Sequence, residues 1–297
     1  MDQSVLYTIA AILVLGVGAQ WLSWRLKLPS ILFLLILGIL AGPVSGLLDP
    51  DRMFGSLLFP MVSLGVALVL FEGGMTLRFR DLRGHGRLVM NLSTWGALLN
   101  WLLIAAGCHY IAGISGDISM LLAALLVVTG PTVINPLLRT MRAEQSVSQV
   151  LRWEGILIDP VGALLAVLVF QYLLTGQGSW ELFGTSIAAG AGAGLAGAWT
   201  LGIVLKRHWV PEYLLNVLTL AWVVMVFAGS DYLAHESGLL AVTVMGIWLG
   251  NMRDLTVNEI LSFKESLSIL VISMLFVILG ARVDPADILD RALALLG

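Results

Sequence analysis

Apolar runs long enough to cross a bilayer recur about every 25 to 30 residues along this chain, which is the repeat that a hydrocarbon core of roughly 30 Å imposes on helices rising 1.5 Å per residue. The pattern predicts ten helices, near Val5–Trp24, Pro29–Leu48, Phe54–Leu77, Leu88–Gly113, Ile118–Leu138, Val147–Leu174, Leu182–Leu205, Tyr213–Tyr232, Ser237–Gly250 and Leu261–Leu279. Of the 297 residues 59% are hydrophobic and 12% charged, whereas soluble domains carry roughly a quarter charged residues. No water-soluble fold of this length can hide that much apolar surface. With lipid as the solvent, every backbone polar group must be satisfied within the protein, which favours helices. The expected fold is an all-α polytopic helical bundle.

The charges test the count of spans. With the N-terminus outside and the sides alternating, the cytoplasmic loops and helix ends hold Arg25, Lys27, Arg78, Arg80, Arg83, Arg87, Arg139, Arg142, Arg152, Lys206, Arg207, Arg253 and Lys264. The outer side keeps Arg52, Arg282 and Arg291. That bias is the one membrane insertion produces, and dropping any one span would scramble it. Trp21, Trp24, Trp180, Trp209 and Trp248 lie near helix ends, as interfacial tryptophans do. The opening Met-Asp-Gln-Ser lacks the basic region of a cleaved signal peptide, so the first helix is expected to stay. The single cysteine, Cys108, excludes an intrachain disulfide. The chain stops on Leu-Ala-Leu-Leu-Gly297, which reads as the start of a further helix, so a fragment or a short form is expected.

Two features in consecutive spans are expensive to place in a membrane and fall at similar depth. The first is Thr129-Gly130-Pro131-Thr132-Val133-Ile134-Asn135-Pro136 in the fifth span. Its prolines and glycine remove donors and loosen the helix, and an interrupted helix is how secondary transporters offer backbone oxygens and helix-end dipoles to an ion. A simple proline kink is the competing reading. The second is Asp159, in Glu154-Gly-Ile-Leu-Ile-Asp159-Pro160. Counted from Val147 it lies roughly 18 Å into the bilayer, and Thr129, counted from Ile118 on the opposite side, roughly 16 Å. An acid there costs at least ~2.5–3.5 kcal/mol to insert and should face a cavity or a partner. Low dielectric disfavours a bare carboxylate, so one such group can hold a proton or a cation but not both. The competing reading makes Asp159 a structural hydrogen-bond acceptor.

Glu154 lies five residues earlier, about 140° around the helix, so the two acids do not share a face. It reads as the partner of an arginine or of polar backbone, bracing the bundle. Glu72 reads as a solvated or ion-paired group at a helix end, and Arg282 either snorkels to the outer interface or pairs within the core. The Gly- and Ala-rich stretch Gly184–Gly202 reads as a close helix contact without a ligand. A metal at His235-Glu236 is not expected. No nucleotide loop, nucleophile elbow or HExxH motif occurs, and basic patches of the nucleic-acid-binding kind are absent, so neither an enzyme nor a nucleic-acid partner is expected.

Thr129-Gly-Pro-Thr132 followed by Glu154-x-x-x-x-Asp159 resembles the monovalent cation:proton antiporter superfamily in its electroneutral NhaP/NHE-like branch. Supporting matches are Leu70-Phe-Glu-Gly-Gly74, His235-Glu-Ser-Gly-Leu-Leu-Ala-Val242 running to Gly246-Ile-Trp-Leu-Gly-Asn251, and Phe263-Lys-Glu-Ser266 leading into Phe276-Val-Ile-Leu-Gly280. The resemblance implies an NhaA-like inverted-repeat fold with a discontinuous helix and thirteen helices, about ten of them present here. It implies one transmembrane domain over 1–297, with a dimerisation part near 1–80 and 181–280, a core part near 88–175, and the last helices of the second repeat missing. It also implies a homodimer in lipid, a bacterial inner membrane, and no cofactor. Asp159 would bind H⁺ and the transported Na⁺ or K⁺ in turn, with Thr129, Gly130 and Thr132 contributing to the cation site. Pro131, Asn135, Glu154 and Arg282 would support the core. Two positions depart from the branch: Gly130 stands where it usually has Asp, and Ile158 where it usually has Asn. A single deep carboxylate implies one-for-one exchange. Two alternatives are a potassium efflux system of the glutathione-gated type, which needs a nucleotide-binding domain not found in this stretch, and a non-transporting membrane scaffold or sensor.

Overall fold

The computed structural model describes residues 3–82, 84–130, 134, 138, 141, 143–175, 180–207, 209–252 and 257–283. The described residues form helices and no strand: α1 (Gln3–Leu26), α2 (Ser30–Ile39), α3 (Pro50–Phe54), α4 (Leu58–Thr76), α5 (Gly86–Asn91), α6 (Ala97–Tyr110), α7 (Gly116–Leu126), α8 (Gln145–Thr175), α9 (Trp180–Lys206), α10 (Glu212–Leu233), α11 (Ser237–Gly250) and α12 (Val257–Ala281). A π-helical turn at Leu40–Val44, holding Pro43, extends α2, and another at Leu92–Gly96 joins α5 to α6.

Nine of the ten expected spans coincide with helix over most of their length, and the fifth is helical over its first part, to Leu126. Six are long and apolar enough to cross a membrane unaided, within Tyr7–Leu26, Pro50–Thr76, Gly86–Tyr110, Gln145–Leu174, Phe183–Lys206 and Tyr213–Leu233. The other four, Ser30–Val44, Gly116–Leu126, Ser237–Gly250 and Ser268–Ala281, are shorter. In α11 the reason is visible: ten of its fourteen residues are buried, and a helix apolar all round packs against protein, not lipid. Elsewhere large apolar side chains point outward, among them Val17, Leu103, Trp199 and Val217, which suits a lipid surround.

By packing, the described residues fall into two units. The first takes α1, α2, α3, the start of α4 and α12 from residue 265. Its core is Ile12, Ala19, Leu34, Ala41, Leu48, Leu58, Val277, Ile278 and Ala281. Asp49 caps α3 by accepting the Arg52 N–H at 3.0 Å, with Pro50 in the first turn where no N–H is needed. Arg282, just past α12, binds Asp51 through Nε at 2.9 Å, and its guanidinium lies 5.3 Å from the centre of the Phe59 ring. Arg282 thus pairs, but in a partly exposed ion pair between helix ends and not within the core.

The second unit spans Ala67–Asn135 and Arg142–Lys264. Here α11 lies between α9 and the end of α4. On one side a Cβ at Gly190 would sit 2.8 Å from the Ser237 carbonyl oxygen, and one at Gly194 would overlap that of Ala241. On the other side a Cβ at Gly74 would meet the Thr243 carbonyl at 2.8 Å. The glycine-rich stretch is therefore a close helix contact, as its composition predicts.

Glu236, joining α10 to α11, adopts φ 62° and ψ 8°, the left-handed region that side chains disfavour by roughly 1–2 kcal/mol. Glu236→Gly is expected to raise stability by up to about 1 kcal/mol, read as a higher unfolding midpoint in detergent.

Candidate functional site

The fifth span stops early. The Val127 N–H makes the last bond of α7, to the Ala123 carbonyl at 3.0 Å, and residues 128–130 are not helical. Of the motif Thr129–Pro136 expected to interrupt the span, Thr129 and Gly130 are non-helical and residues 131–133 lie outside the described residues. Among the described residues the interruption covers Val127–Gly130. It begins before the motif, at apolar Val127 and Val128, whose residue types do not announce a helix end. Pro131, Thr132 and Asn135 lie outside the described residues.

The next helix, α8, runs unbroken through Pro160. Proline has no N–H, so the Ile156 carbonyl one turn earlier lacks its helical donor. Gly162, one turn beyond Asp159, faces the interrupted segment: a Cβ there would overlap the Val128 side chain. Only a residue without a side chain lets the Val128 side chain come this close to the acid helix.

The structure brings Thr129 and Glu154 into direct contact. The Thr129 hydroxyl lies 2.8 Å from each carboxylate oxygen of Glu154 and donates its single proton between them. This corrects the expected arginine or backbone partner for Glu154. A hydroxyl that donates keeps two lone pairs, so Thr129 can still face a cation with oxygen. Asp159 is half-buried, and among the described residues no hydrogen bond reaches its carboxylate. Its neighbour Ile158 is 1% exposed and points into packed protein. Gly130 is half-buried beside Thr129 and offers backbone only.

Glu72, expected to be solvated or ion-paired at a helix end, is half-buried with its Oε2 enclosed, and the neighbouring Gly73 packs on Ile156 of α8. The sequence signal was Leu70-Phe-Glu-Gly-Gly74 itself, an acid flanked by residues small enough to be enclosed. Among the described residues no cluster of three His, Cys, Asp or Glu could hold a metal.

Thr129→Val keeps the shape but removes the proton donated to Glu154. It is expected to destabilise the protein by about 1–3 kcal/mol, the penalty for stranding a partly buried carboxylate, and Thr129→Ser to restore it. A double-mutant cycle with Glu154→Gln in detergent unfolding checks this: the valine effect should shrink when the carboxylate is already gone.

An all-α membrane bundle in which an interrupted helix packs on a mid-helix acid is the architecture of cation:proton antiporters. The chain belongs to the transmembrane sodium/hydrogen exchanger family, whose pattern matches residues 9–296. It is similar to the K(+)/H(+) antiporter NhaP2 of Shewanella sp. (strain ANA-3), 25% identical over 276 residues that make up 90% of this chain and 47% of that protein. The Na(+)/H(+) antiporter 1 of Methanocaldococcus jannaschii is 25% identical over 289 residues, 91% of this chain and 66% of the relative. Among solved structures, the sodium proton antiporter MjNhaP1 from the same archaeon at pH 8 superposes with a TM-score of 0.83 at 24% identity, covering 97% of this chain and 73% of that one. This likeness establishes the fold. The chain spans about half the length of the NhaP2 relatives.

Proposed function

We propose that this protein exchanges a monovalent cation, Na⁺ or K⁺, for protons across the membrane, with Asp159 holding the two in turn. The observation that carries the reading is the contrast between two acids on one helix. Glu154 is engaged by the Thr129 hydroxyl, whereas the Asp159 carboxylate has no hydrogen-bond donor among the described residues. A half-buried carboxylate in lipid needs a counter-charge or a proton. Glu154 stands on the same helix about one and a half turns away.

Oxygen ligands for the cation come from Asp159, from the Thr129 lone pairs, and from backbone carbonyls released at the interruption and at Ile156. One carboxylate exchanging one charge for one charge makes transport electroneutral. We further place the N-terminus outside, in a bacterial inner membrane, and pair two copies through a dimerisation part near 1–80 and 181–280, with 88–175 as the moving core.

The test is flux in proteoliposomes of the purified protein with a pH dye inside. Addition of Na⁺ or K⁺ outside should drive protons out without generating a membrane potential. Vesicles whose internal pH does not respond to either cation would refute the reading and leave a scaffold role.

A further inference from the structure

The motif ending in Asn251 is not used by the cation site, yet it organises one end of the second unit. Asn251 follows the last turn of α11, and its side chain makes three bonds. Its Nδ2 donates to the Ile247 carbonyl at 2.7 Å and to the Leu77 carbonyl at 2.8 Å, while its Oδ1 accepts the Phe79 N–H at 2.7 Å. Arg78 adds a bond to the Gly250 carbonyl, placing a cation at a helix C-terminus where the dipole favours it. One amide therefore fixes the backbone that leaves α4, and with it the ring of Phe79.

That ring stacks on Trp153, with centroids 5.9 Å apart and planes at 27°. Trp153 is 4% exposed and is the residue immediately before Glu154. Its indole N–H is buried and has no hydrogen-bond partner among the described residues. A buried indole normally finds an acceptor. Here no hydrogen bond from a described residue orients the ring, and it is held by packing within the cluster of Leu77, Val89, Val150, Ile156 and Ile247 and against the Phe79 face.

We propose that Asn251 and Phe79 are positioning residues for the cation site: the Asn251 amide holds Phe79, Phe79 holds Trp153, and Trp153 sets the rotation of α8 that points Glu154 at the Thr129 hydroxyl. The proposal rests on the exchanger reading for its effect on transport, but not for its structural content. Neither residue touches the cation.

Two readouts test it on the intact protein. In flux assays normalised to folded transporter, Asn251→Ala and Phe79→Ala should each raise the KM for the cation at least threefold, with turnover within twofold of wild type. Phe79→Tyr, which keeps the stacking face, should retain the wild-type KM, and the Asn251→Ala/Phe79→Ala pair should be no worse than the worse single variant. In amide hydrogen exchange, both alanine variants should speed exchange across residues 150–157 and leave 165–174 unchanged. An unchanged KM, or exchange accelerated evenly along α8, would reduce Asn251 to a general stabilising residue and overturn the proposal. If wild-type protein shows no flux, the exchanger reading fails, and the hydrogen-exchange result alone decides whether this chain of contacts sets α8.

Discussion

Asp159→Asn is expected to abolish cation-driven proton movement while leaving the protein folded. Asparagine matches aspartate in shape and keeps an acceptor oxygen, so packing around α8 should be preserved. It carries no charge and takes up no proton at the pH values at which transport is assayed. The attraction it removes is large: a unit charge pair at 4 Å is worth about 4 kcal/mol at the effective dielectric of a partly buried site, roughly a thousandfold in cation affinity. Stability should hold or rise, because replacing a carboxylate that accepts no hydrogen bond from the described residues by an amide relieves a desolvation penalty. Measured together, flux should fall to the background of empty liposomes and the unfolding midpoint should not drop. Glu154→Gln is expected to behave differently, losing stability with its Thr129 bond, since its carboxylate already has a structural partner.

The second large effect is on folding. Gly246→Ala would drive a methyl group into the Phe71 carbonyl and within 3.3 Å of the Met75 nitrogen. Both obstacles are backbone, which cannot rotate aside as a side chain can. The same face repeats one turn later, where a Cβ at Gly250 would meet the Met75 oxygen at 2.5 Å. Relief would require α4 and α11 to separate, breaking the Asn251 bonds to residues 77 and 79. Overpacking of this kind costs about 1–3 kcal/mol or more, so the variant is expected to unfold several degrees earlier or to lose its monodisperse peak in detergent. Gly192→Ala on α9 is the matched control: a Cβ there meets nothing within 4 Å. It should be neutral or stabilising by up to about 1 kcal/mol, the helix-propensity gain.

The ten helical segments were legible because the bilayer imposes both their length and the sign of the loops between them, and neither constraint depends on tertiary detail. The helix interruption was legible from Gly130 and Pro131, but its start was not, since Val127 and Val128 carry no local signal. The Thr129–Glu154 bond shows why depth alone is insufficient. Counting residues set Thr129 level with Asp159, yet Glu154 is only about 7–8 Å nearer the cytoplasm, and which acid the hydroxyl meets is decided by helix rotation, which a sequence does not display. The enclosure of the Glu72 Oε2 was hard to read for a related reason: nearby arginines pointed to solvent or an ion pair, whereas Gly73 and Gly74 let α8 and α11 approach this turn. The Phe79–Trp153 stack joins residues 74 apart and has no local signature.

The central claim is that cation and proton compete for one carboxylate, and the most direct measurement is proton release on cation binding. Purified protein in weakly buffered detergent is titrated with Na⁺ and with K⁺ while bound cation and released protons are counted together. The account predicts close to one proton released per cation bound at the pH where exchange is fastest, and neither binding nor release in Asp159→Asn. Cation binding without proton release, or binding that survives in Asp159→Asn, would contradict it.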